Sequence, residues 1–386
     1  MNPYFVDLHI HIGRTKQGKP VKITGSKTLT LTNILKSAKQ PKGLDVVGII
    51  DCHVPDVLEE LESLLEQEKL VELQGGGLLY EGEVTLIPGV EIEVYDENCL
   101  GPLHVLAYFP YVETIREFSN WLSKRVKNIH LSTQRIYETA KNLQMKVKEL
   151  GGLFIPAHVF TPFKSLYGKG VHSSLREVLD PEYIDGVELG LSSDTEMADQ
   201  IEELHSFTFL TNSDAHSLAK MAREYQIIGL EQPDFQCLKK ALHHEGDNRI
   251  LANFGLDPRL GKYHLTACAR CFAPKTAVVC ESCGSKQFTK GVSERIQELA
   301  SEGKAPAPKR PPYVHQVPLE FLPGLGPKTM QKLLTCFDTE MNIIHKATFE
   351  QLTSVVKPPL AERILSSRKG EVTVESGGGG KYGKVK

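Results

Sequence analysis

Two short triplets in this chain place metal-binding side chains one residue apart. Asp7-Leu-His9-Ile-His11 lies at the start, and Asp214-Ala-His216 follows about two hundred residues later. On a strand, residues two apart face the same side, so His9 and His11 project together, as do Asp214 and His216. Two imidazoles on one side and a carboxylate with an imidazole on the other make a donor set for divalent cations. Asp51, Glu91, His104 and His158 add further donors in or beside strand-like runs. Cations held by such groups can acidify bound water and neutralise anionic oxygens, so the chemistry of the chain is expected to start there. A lone histidine is more often a hydrogen-bonded core residue; the expectation rests on the whole constellation.

The elements that must position these groups are legible as alternation. Strand-like runs fall at Tyr4–Ile10, Val46–Ile50, Val84–Val90, His104–Tyr108, Leu153–Pro156, Gly186–Leu189 and Thr208–Thr211. Helical patterns lie between several of them, including a long charged stretch over 112–150 that reads as an extended helical insertion or, more readily, as a solvated helix pair packed on the body. Seven strands with intervening helices point to an α/β fold of barrel type. Asp51, Glu91, His158 and Asp214 fall at or just past strand ends, where barrel active sites are built.

The motifs Asp7-Leu-His-Ile-His11, Gly48-Ile-Ile-Asp51, Pro88-Gly-Val-Glu91, Leu103-His-Val-Leu106, Pro156-Ala-His158 and Ser213-Asp-Ala-His216 resemble, in order and context, the PHP (polymerase and histidinol phosphatase) family of metal-dependent phosphoesterases. The resemblance covers roughly residues 1–250. It implies a distorted seven-stranded (β/α) barrel with two to three divalent ions (Zn2+, Mn2+ or Mg2+) at its mouth. His9, His11, Asp51, Glu91, His104, His158, Asp214 and His216 would be the ligands. Glu91 would bridge two ions, and catalysis would depend on Asp214 and Glu91. Asp7 is expected to orient a ligand imidazole from behind. The family's second motif has adjacent Asp and His, whereas this chain reads Asp51-Cys52-His53, so His53 is an alternative to Asp51. Glu188 either borders the site or forms a rim ion pair.

Cys268-x2-Cys271-x8-Cys280-x2-Cys283 is a separate signal. Four thiolates in two such pairs fit a closed tetrahedral Zn2+ site, structural in role, and the span is too short to fold without its metal. Further on, Leu322-Pro-Gly324-Leu-Gly326-Pro-Lys328 with Lys332 resembles a helix-hairpin-helix. There Gly324 and Gly326 let the backbone approach a DNA phosphate, and Lys328 and Lys332 supply charge. A second helical half, Phe349–Ile364, reads Lys357-Pro-Pro where another Gly-x-Gly would stand.

These parts imply residues 1–255 as the PHP-type barrel and 256–290 as the four-cysteine module. A Pro-rich linker would occupy 291–312, a helix-hairpin-helix-like DNA-binding region 313–370, and a flexible basic tail 371–386. Barrel, zinc module and helical hairpin in this order resemble the endonuclease Q family. That resemblance implies hydrolysis of the phosphodiester 5′ to deaminated bases (uracil, hypoxanthine, xanthine) or abasic sites. Damaged DNA, single- or double-stranded, would be the partner, with replication or repair proteins as further candidates. A small-molecule phosphoesterase of histidinol-phosphatase type, a noncatalytic DNA-binding protein and an RNA-processing nuclease are the competing readings.

Composition agrees with this organisation. The 386 residues suggest two or three domains, and the net charge of −3 is uneven. Residues 285–386 carry 16 Lys/Arg against 10 Asp/Glu, a net +6, which leaves −9 on the rest. A basic end behind an acidic body suits polyanion binding by that end. No apolar run approaches the roughly 18–20 residues that span a bilayer, and no signal-peptide profile is seen. The four dispersed cysteines, Cys52, Cys99, Cys237 and Cys336, suit a reducing compartment. A cytoplasmic, nucleoid-associated location without a membrane partner is therefore expected.

Overall fold

The computed structural model describes residues 1–300, 306–372, 374–376 and 383–385. The strands that position the candidate site are β1 (Asn2–Ile10), β2 (Val46–Ile49), β3 (Val84–Val94), β4 (Leu103–Tyr108), β5 (Leu153–Pro156), β6 (Val187–Glu188) and β7 (Phe209–Leu210). Beyond them lie β8 (Tyr225–Leu230), β9 (Arg249–Gly255) and β10 (Tyr313–His315). β1 pairs in parallel with β2, and β2 with β3. β3 and β4 are antiparallel, as are β4 and β5. The sheet is therefore mixed rather than a uniform βα alternation. The segment joining β3 to β4 is too short for the helical crossover that a parallel pair requires. This reversal brings His104, at the beginning of β4, to the same end of the sheet as Glu91 on β3.

Backbone hydrogen bonds continue past the sheet. Asp185 N–H donates to Phe154 O at 3.0 Å and Val159 N–H to Glu188 O at 3.0 Å, which ties β5 to β6. β6 and β7 are parallel. Ala215 N–H then donates to His9 O, and His11 N–H to Ala215 O, both at 3.1 Å. The two sequence triplets thus lie side by side.

Helices cover the strands through apolar stripes. After α1 (Leu31–Ser37) comes α2 (Pro55–Glu66), where Val57, Leu58, Leu61 and Leu64 are buried and Pro55 sits at the first helical turn, where its missing N–H costs nothing. The stretch 112–150 is the helix pair, α3 (Val112–Ser123) and α4 (Ala140–Glu149), rather than one extended helix. Between them Tyr137 N–H donates to Arg125 O at 2.7 Å, and Arg125 Nε meets Glu138 Oε2 at 3.3 Å. The segment closes on itself, and Arg135–Ile136 pairs with Glu93–Val94 of β3.

The C-terminal part is anchored, not strung on a bare linker. Within 291–312, Val292 and Ile296 stand one turn apart and are both buried, forming α6 (Val292–Leu299; α5 is Phe235–Leu242). Arg310 then binds Asp199 Oδ1 at 2.9 Å, and its guanidinium carbon lies 3.9 Å from the centre of the Phe209 ring. β10 adds to β9 as a parallel edge strand. Next come α7 (Pro327–Phe337), α8 (Phe349–Thr353) and α9 (Pro358–Arg368). Residues 301–305 of the expected linker, and 373, 377–382 and 386 of the expected tail, lie outside the described residues. Val374–Glu375 and Lys384–Val385 pair as short antiparallel strands. No helix among the described residues is long and apolar enough to cross a membrane.

One buried acid carries a pH dependence. Glu224 is fully buried, and its Oε1 accepts from Leu256 N–H at 2.8 Å, while its Oε2 has no hydrogen-bond partner among the described residues. Burial pushes its carboxyl up to about 8. An acid whose folded pKa is raised holds its proton in the folded state and loses it more readily when unfolded. Stability therefore falls as pH rises from the unfolded value, about 4.5, through about 8. Glu224→Gln should remove this slope, leaving the variant more stable than the wild type at pH 9 by on the order of 2–4 kcal/mol. Urea denaturation at pH 5 and pH 9 measures it; equal slopes in both proteins would refute the assignment.

Candidate metal centre

β1 delivers His9 and, one residue past its end, His11, and the segment after β7 delivers Asp214. Donor atoms of these three side chains lie within 4.8 Å of one another. Asp214 Oδ1 is 3.5 Å from His9 Nε2 and 3.6 Å from His11 Nε2. Glu91, His104 and His158 form a second such triad. Glu91 joins the two. Its Oε1 is 2.9 Å from His104 Nδ1, 3.4 Å from His158 Nε2 and 3.7 Å from His9 Nε2, while its Oε2 is 3.5 Å from His11 Nε2.

These distances suit metal ligands better than hydrogen bonds. His9 Nε2 and His11 Nε2 are buried and make no hydrogen bond among the described residues. Donors around one ion with bonds of about 2.0–2.2 Å stand roughly 3–3.5 Å apart. The rear nitrogens fix which ring nitrogen faces inward. His9 Nδ1 donates to Glu188 Oε1 at 2.9 Å, and His11 Nδ1 to Asp51 Oδ2 at 3.1 Å. Each ring thus turns its Nε2 toward the cluster, where a cation would take the place of any proton on that nitrogen. The donors present therefore fit divalent cations.

The charges are arranged accordingly. Burial would raise the Glu91 carboxyl, but His104 and Lys22 hold it well below the usual carboxylate range. His9, His216 and His11 do the same for Asp214 against its own burial. Burial and Lys22 together lower His11 to about 4, whereas Glu188, Asp214 and Glu91 outweigh burial at His9 and lift it to about 10. Asp214 and His158 both adopt positive φ, +44° and +32°, a region that non-glycine residues enter rarely and usually at functional sites. A Cβ on Gly190 would lie 2.8 Å from His158 Cβ, so only glycine lets that ring take its place.

Several expectations need correcting. Asp51 is not among the converging donors; its Oδ2 accepts from His11 Nδ1 and, at 2.8 Å, from Ile12 N–H, so it orients His11 from behind. Asp7 does not orient an imidazole. It accepts from the backbone N–H of Ser213 at 3.1 Å and of Ala222 at 2.9 Å, locking the Asp214 segment onto β1. His53 is buried but belongs to neither triad. His216 lies at the rim, its Nε2 3.3 Å from Asp214 Oδ1 and its ring 4.7 Å from that of His11.

Glu188 is no rim residue. It is 1 % exposed, and Asn212 Nδ2 donates to its Oε1 at 2.8 Å. Of the two readings its place at the end of the Gly-Val-Glu run offered, the structure gives the one that borders the site. Lys22 and Thr133 come from irregular segments with no such pattern. Because Glu188 sets the tautomer and angle of His9, Glu188→Ala should weaken barrel-metal affinity about 10–100-fold with little loss of fold. Titration calorimetry with Mn2+ checks this, and unchanged affinity would reject the role.

The four cysteines converge as well. Cys268 Sγ is 3.6 Å from Cys283 Sγ, and Cys271 Sγ is 3.4 Å from Cys280 Sγ. A tetrahedron with ~2.3 Å metal–sulfur bonds has edges of roughly 3.8 Å, so this set fits one ion. In the helical part, Gly324 takes φ +90°, Gly326 caps α7, and Lys328 and Lys332 are exposed on it. Arg363 on α9 reaches back to Pro323 O at 3.1 Å, so the Gly-Leu-Gly turn is braced by the second helical pair.

Two cavities open here. One of about 500 Å³ includes Glu91, His104, His158 and Asp214 in its wall, with Lys164, Lys220 and Arg223 around it. A neighbouring groove of about 770 Å³ runs between Phe160–His172 and Lys286–Arg295, sharing Phe163 with the first.

No protein-family model matches the chain. Over 388 residues and the whole of both chains it is 54 % identical to the uncharacterized protein YqxK of Bacillus subtilis. It is 40 % identical over 253 residues to the uncharacterized protein MJ0043 of Methanocaldococcus jannaschii, of whose length it spans 31 %. The lesion-specific endonuclease PfuEndoQ from Pyrococcus furiosus superposes with a TM-score of 0.85 at 34 % identity, covering 100 % of this chain and 95 % of that one. An endonuclease Q in complex with a 27-mer duplex carrying an abasic lesion at the active site superposes with a TM-score of 0.84 at 33 % identity, covering 100 % and 96 %. Likeness of this extent along both chains is a family relationship. The chain belongs to the endonuclease Q family.

Proposed function

We propose that this protein is a metal-dependent DNA-repair endonuclease that hydrolyses the phosphodiester 5′ to deaminated bases or an abasic site. The observation that carries the reading is the full-length likeness to an endonuclease Q held on a duplex with an abasic lesion at its active site. The pairing of β1 through β7, with the hydrogen bonds that return to β1, supports a distorted seven-stranded barrel of PHP type over 1–255.

His9, His11 and Asp214 would hold one divalent ion, and His104, His158 and Glu91 a second, with Glu91 shared between them. When bound, such ions lower the pKa of water at the site and offset charge on the phosphate. Glu188 and Asp51 keep the two β1 imidazoles aimed. Lys164, Lys220 and Arg223 border the cavity where phosphates flanking the scissile bond would lie. Lys169, Lys286 and Lys290, interleaved with Phe160, Phe163 and Phe288, give the adjoining groove the composition of a nucleic-acid contact. Zn2+ is the ion proposed for the four cysteines, and the Gly324–Gly326 turn with Lys328 and Lys332 is proposed to grip the DNA backbone.

A strand-resolved nicking assay tests the reading. End-labelled duplexes with one deoxyuridine, deoxyinosine, deoxyxanthosine or abasic site are compared with undamaged DNA in Mg2+ or Mn2+. A nick directly 5′ of the lesion, lost in Glu91→Ala, is expected. Equal cutting of undamaged DNA, or turnover only of small phosphate monoesters, would overturn it.

A further inference from the structure

We propose that Lys22 is a fixed cation built into the metal centre, whose ammonium holds the outer face of Glu91, limits the centre to two metal ions and offers a donor to the substrate phosphate. The inference rests on reading the two triads as cation sites.

Lys22 reaches the site from the irregular segment that follows β1. Its backbone N–H donates to Ile12 O at 2.9 Å, and the preceding Val21 O accepts from Ser132 N–H at 3.0 Å. Two loops distant in sequence are thereby stitched together beside His11. The Lys22 ammonium lies 3.2 Å from Glu91 Oε2 and 2.6 Å from Thr133 Oγ1, and the Thr133 hydroxyl is itself 2.5 Å from that carboxylate oxygen. The Lys22 side chain is 15 % exposed. Thr133 has φ +54°, where a β-branched residue crowds its own backbone. Such a conformation persists only where surrounding contacts enforce it, and here it aims the hydroxyl at Glu91 and Lys22.

The division of labour on Glu91 follows. Oε1 faces His104, His158 and His9, while Oε2 faces His11 on one side and Lys22 with Thr133 on the other. A further cation approaching Oε2 from that side would meet an ammonium already in place. An ammonium has no lone pair and cannot serve as a ligand, so it contributes charge without coordination. Of its three N–H bonds, two are used on Thr133 and Glu91. The third is available to the cavity, whose wall includes Lys22. Two consequences of opposite sign follow. Lys22 repels the bound metals and weakens their affinity, and it strengthens the hold on an anionic phosphate.

The test uses the full chain, with metals counted by elemental analysis after Mn2+ saturation and affinity read by titration. The wild type should hold three ions per chain, two in the barrel and one on the cysteines. Lys22→Met, if its thermal melt matches the wild type, should bind barrel Mn2+ about 10-fold more tightly or take up one ion more, because a like charge has gone. The same variant should nick lesion DNA about 100-fold more slowly at saturating Mn2+. Lys22→Arg should keep the wild-type ion count and regain most of the rate. Four ions in the wild type, unchanged or weaker Mn2+ binding by Lys22→Met without an added ion, or full-speed nicking by it would each overturn the proposal. If no lesion duplex is cut by any variant, the proposed activity fails, while the ion count and affinity still decide the role of Lys22.

Discussion

Glu91→Ala should cost the protein at least about 10³-fold in turnover, some 4 kcal/mol of barrier, and release metal from both triads at once. Among the described residues, its carboxylate is the group that lies near inward-facing ring nitrogens of both triads. Asp214 stands near His9, His11 and His216, and His104 and His158 belong to one triad, whereas the Glu91 oxygens reach nitrogens of both. The loss should not reflect unfolding. Glu91 lies within β3, its N–H bound to Ile50 O at 2.9 Å, and a backbone bond survives truncation of the side chain. Glu91→Gln sharpens the test, since it keeps the shape and removes the charge that His104 and Lys22 stabilise. Elemental analysis, nicking rate and thermal melting should show metal lost, activity lost and secondary structure retained in both variants. Metal retained with activity lost would make Glu91 a catalytic group but not a shared ligand.

Removing the ion proposed for the cysteines should have the second-largest effect, confined to one region. Between Ala267 and Cys283 the buried apolar side chains are few: Ala267, Cys268 and Cys280. Phe272, Val278 and Val279 are exposed. So small a core cannot offset the entropy of ordering the segment, and a structural Zn2+ supplies on the order of 10 kcal/mol in such modules. Chelation, or Cys280→Ser, should unfold residues around 266–290, with rapid proteolysis and hydrogen exchange there and little change in the strands β1–β9. Release of close to one zinc per chain should accompany it. A segment that stays protease-resistant without metal would refute the claim. The damage should also reach the groove beside the barrel, because Lys286–Gly291 form one of its walls.

What could be read from the sequence was set by periodicity. His9, His11, Glu91, His104 and His158 sit on or just past strands, where alternation decides which side chains share a face, and they converge in space. Cys268, Cys271, Cys280 and Cys283 were legible because spacing alone constrains a tetrahedral site. The failures share a cause. Asp51 has the right type and place, but a carboxylate beside a histidine can coordinate or orient, and only three dimensions separate the two. Asp7 likewise spends its oxygens on backbone N–H groups of a segment two hundred residues away. Lys22 and Thr133 reach the centre from irregular segments, where no period predicts direction. In the 112–150 stretch a helix pair was readable but its break could not be placed, because the interruption is polar and charged, like a solvated helix face. Its return was decided by Arg125 and Glu138, not by a proline or glycine stop.

The way β10 is added bears on how the molecule could have been assembled from parts. A helical appendage joined by a bare linker could be cut away to leave the body intact. Here the strand leading into it completes the sheet of the body, and Arg310 is clasped by Asp199 and Phe209 before the appendage begins. Cutting the chain ahead of that strand would bare the polar edge of β9, an invitation to pair with a neighbour. The two portions are therefore mutually dependent for solubility, so a viable ancestor could have gained or lost the appendage only together with a substitute for that edge.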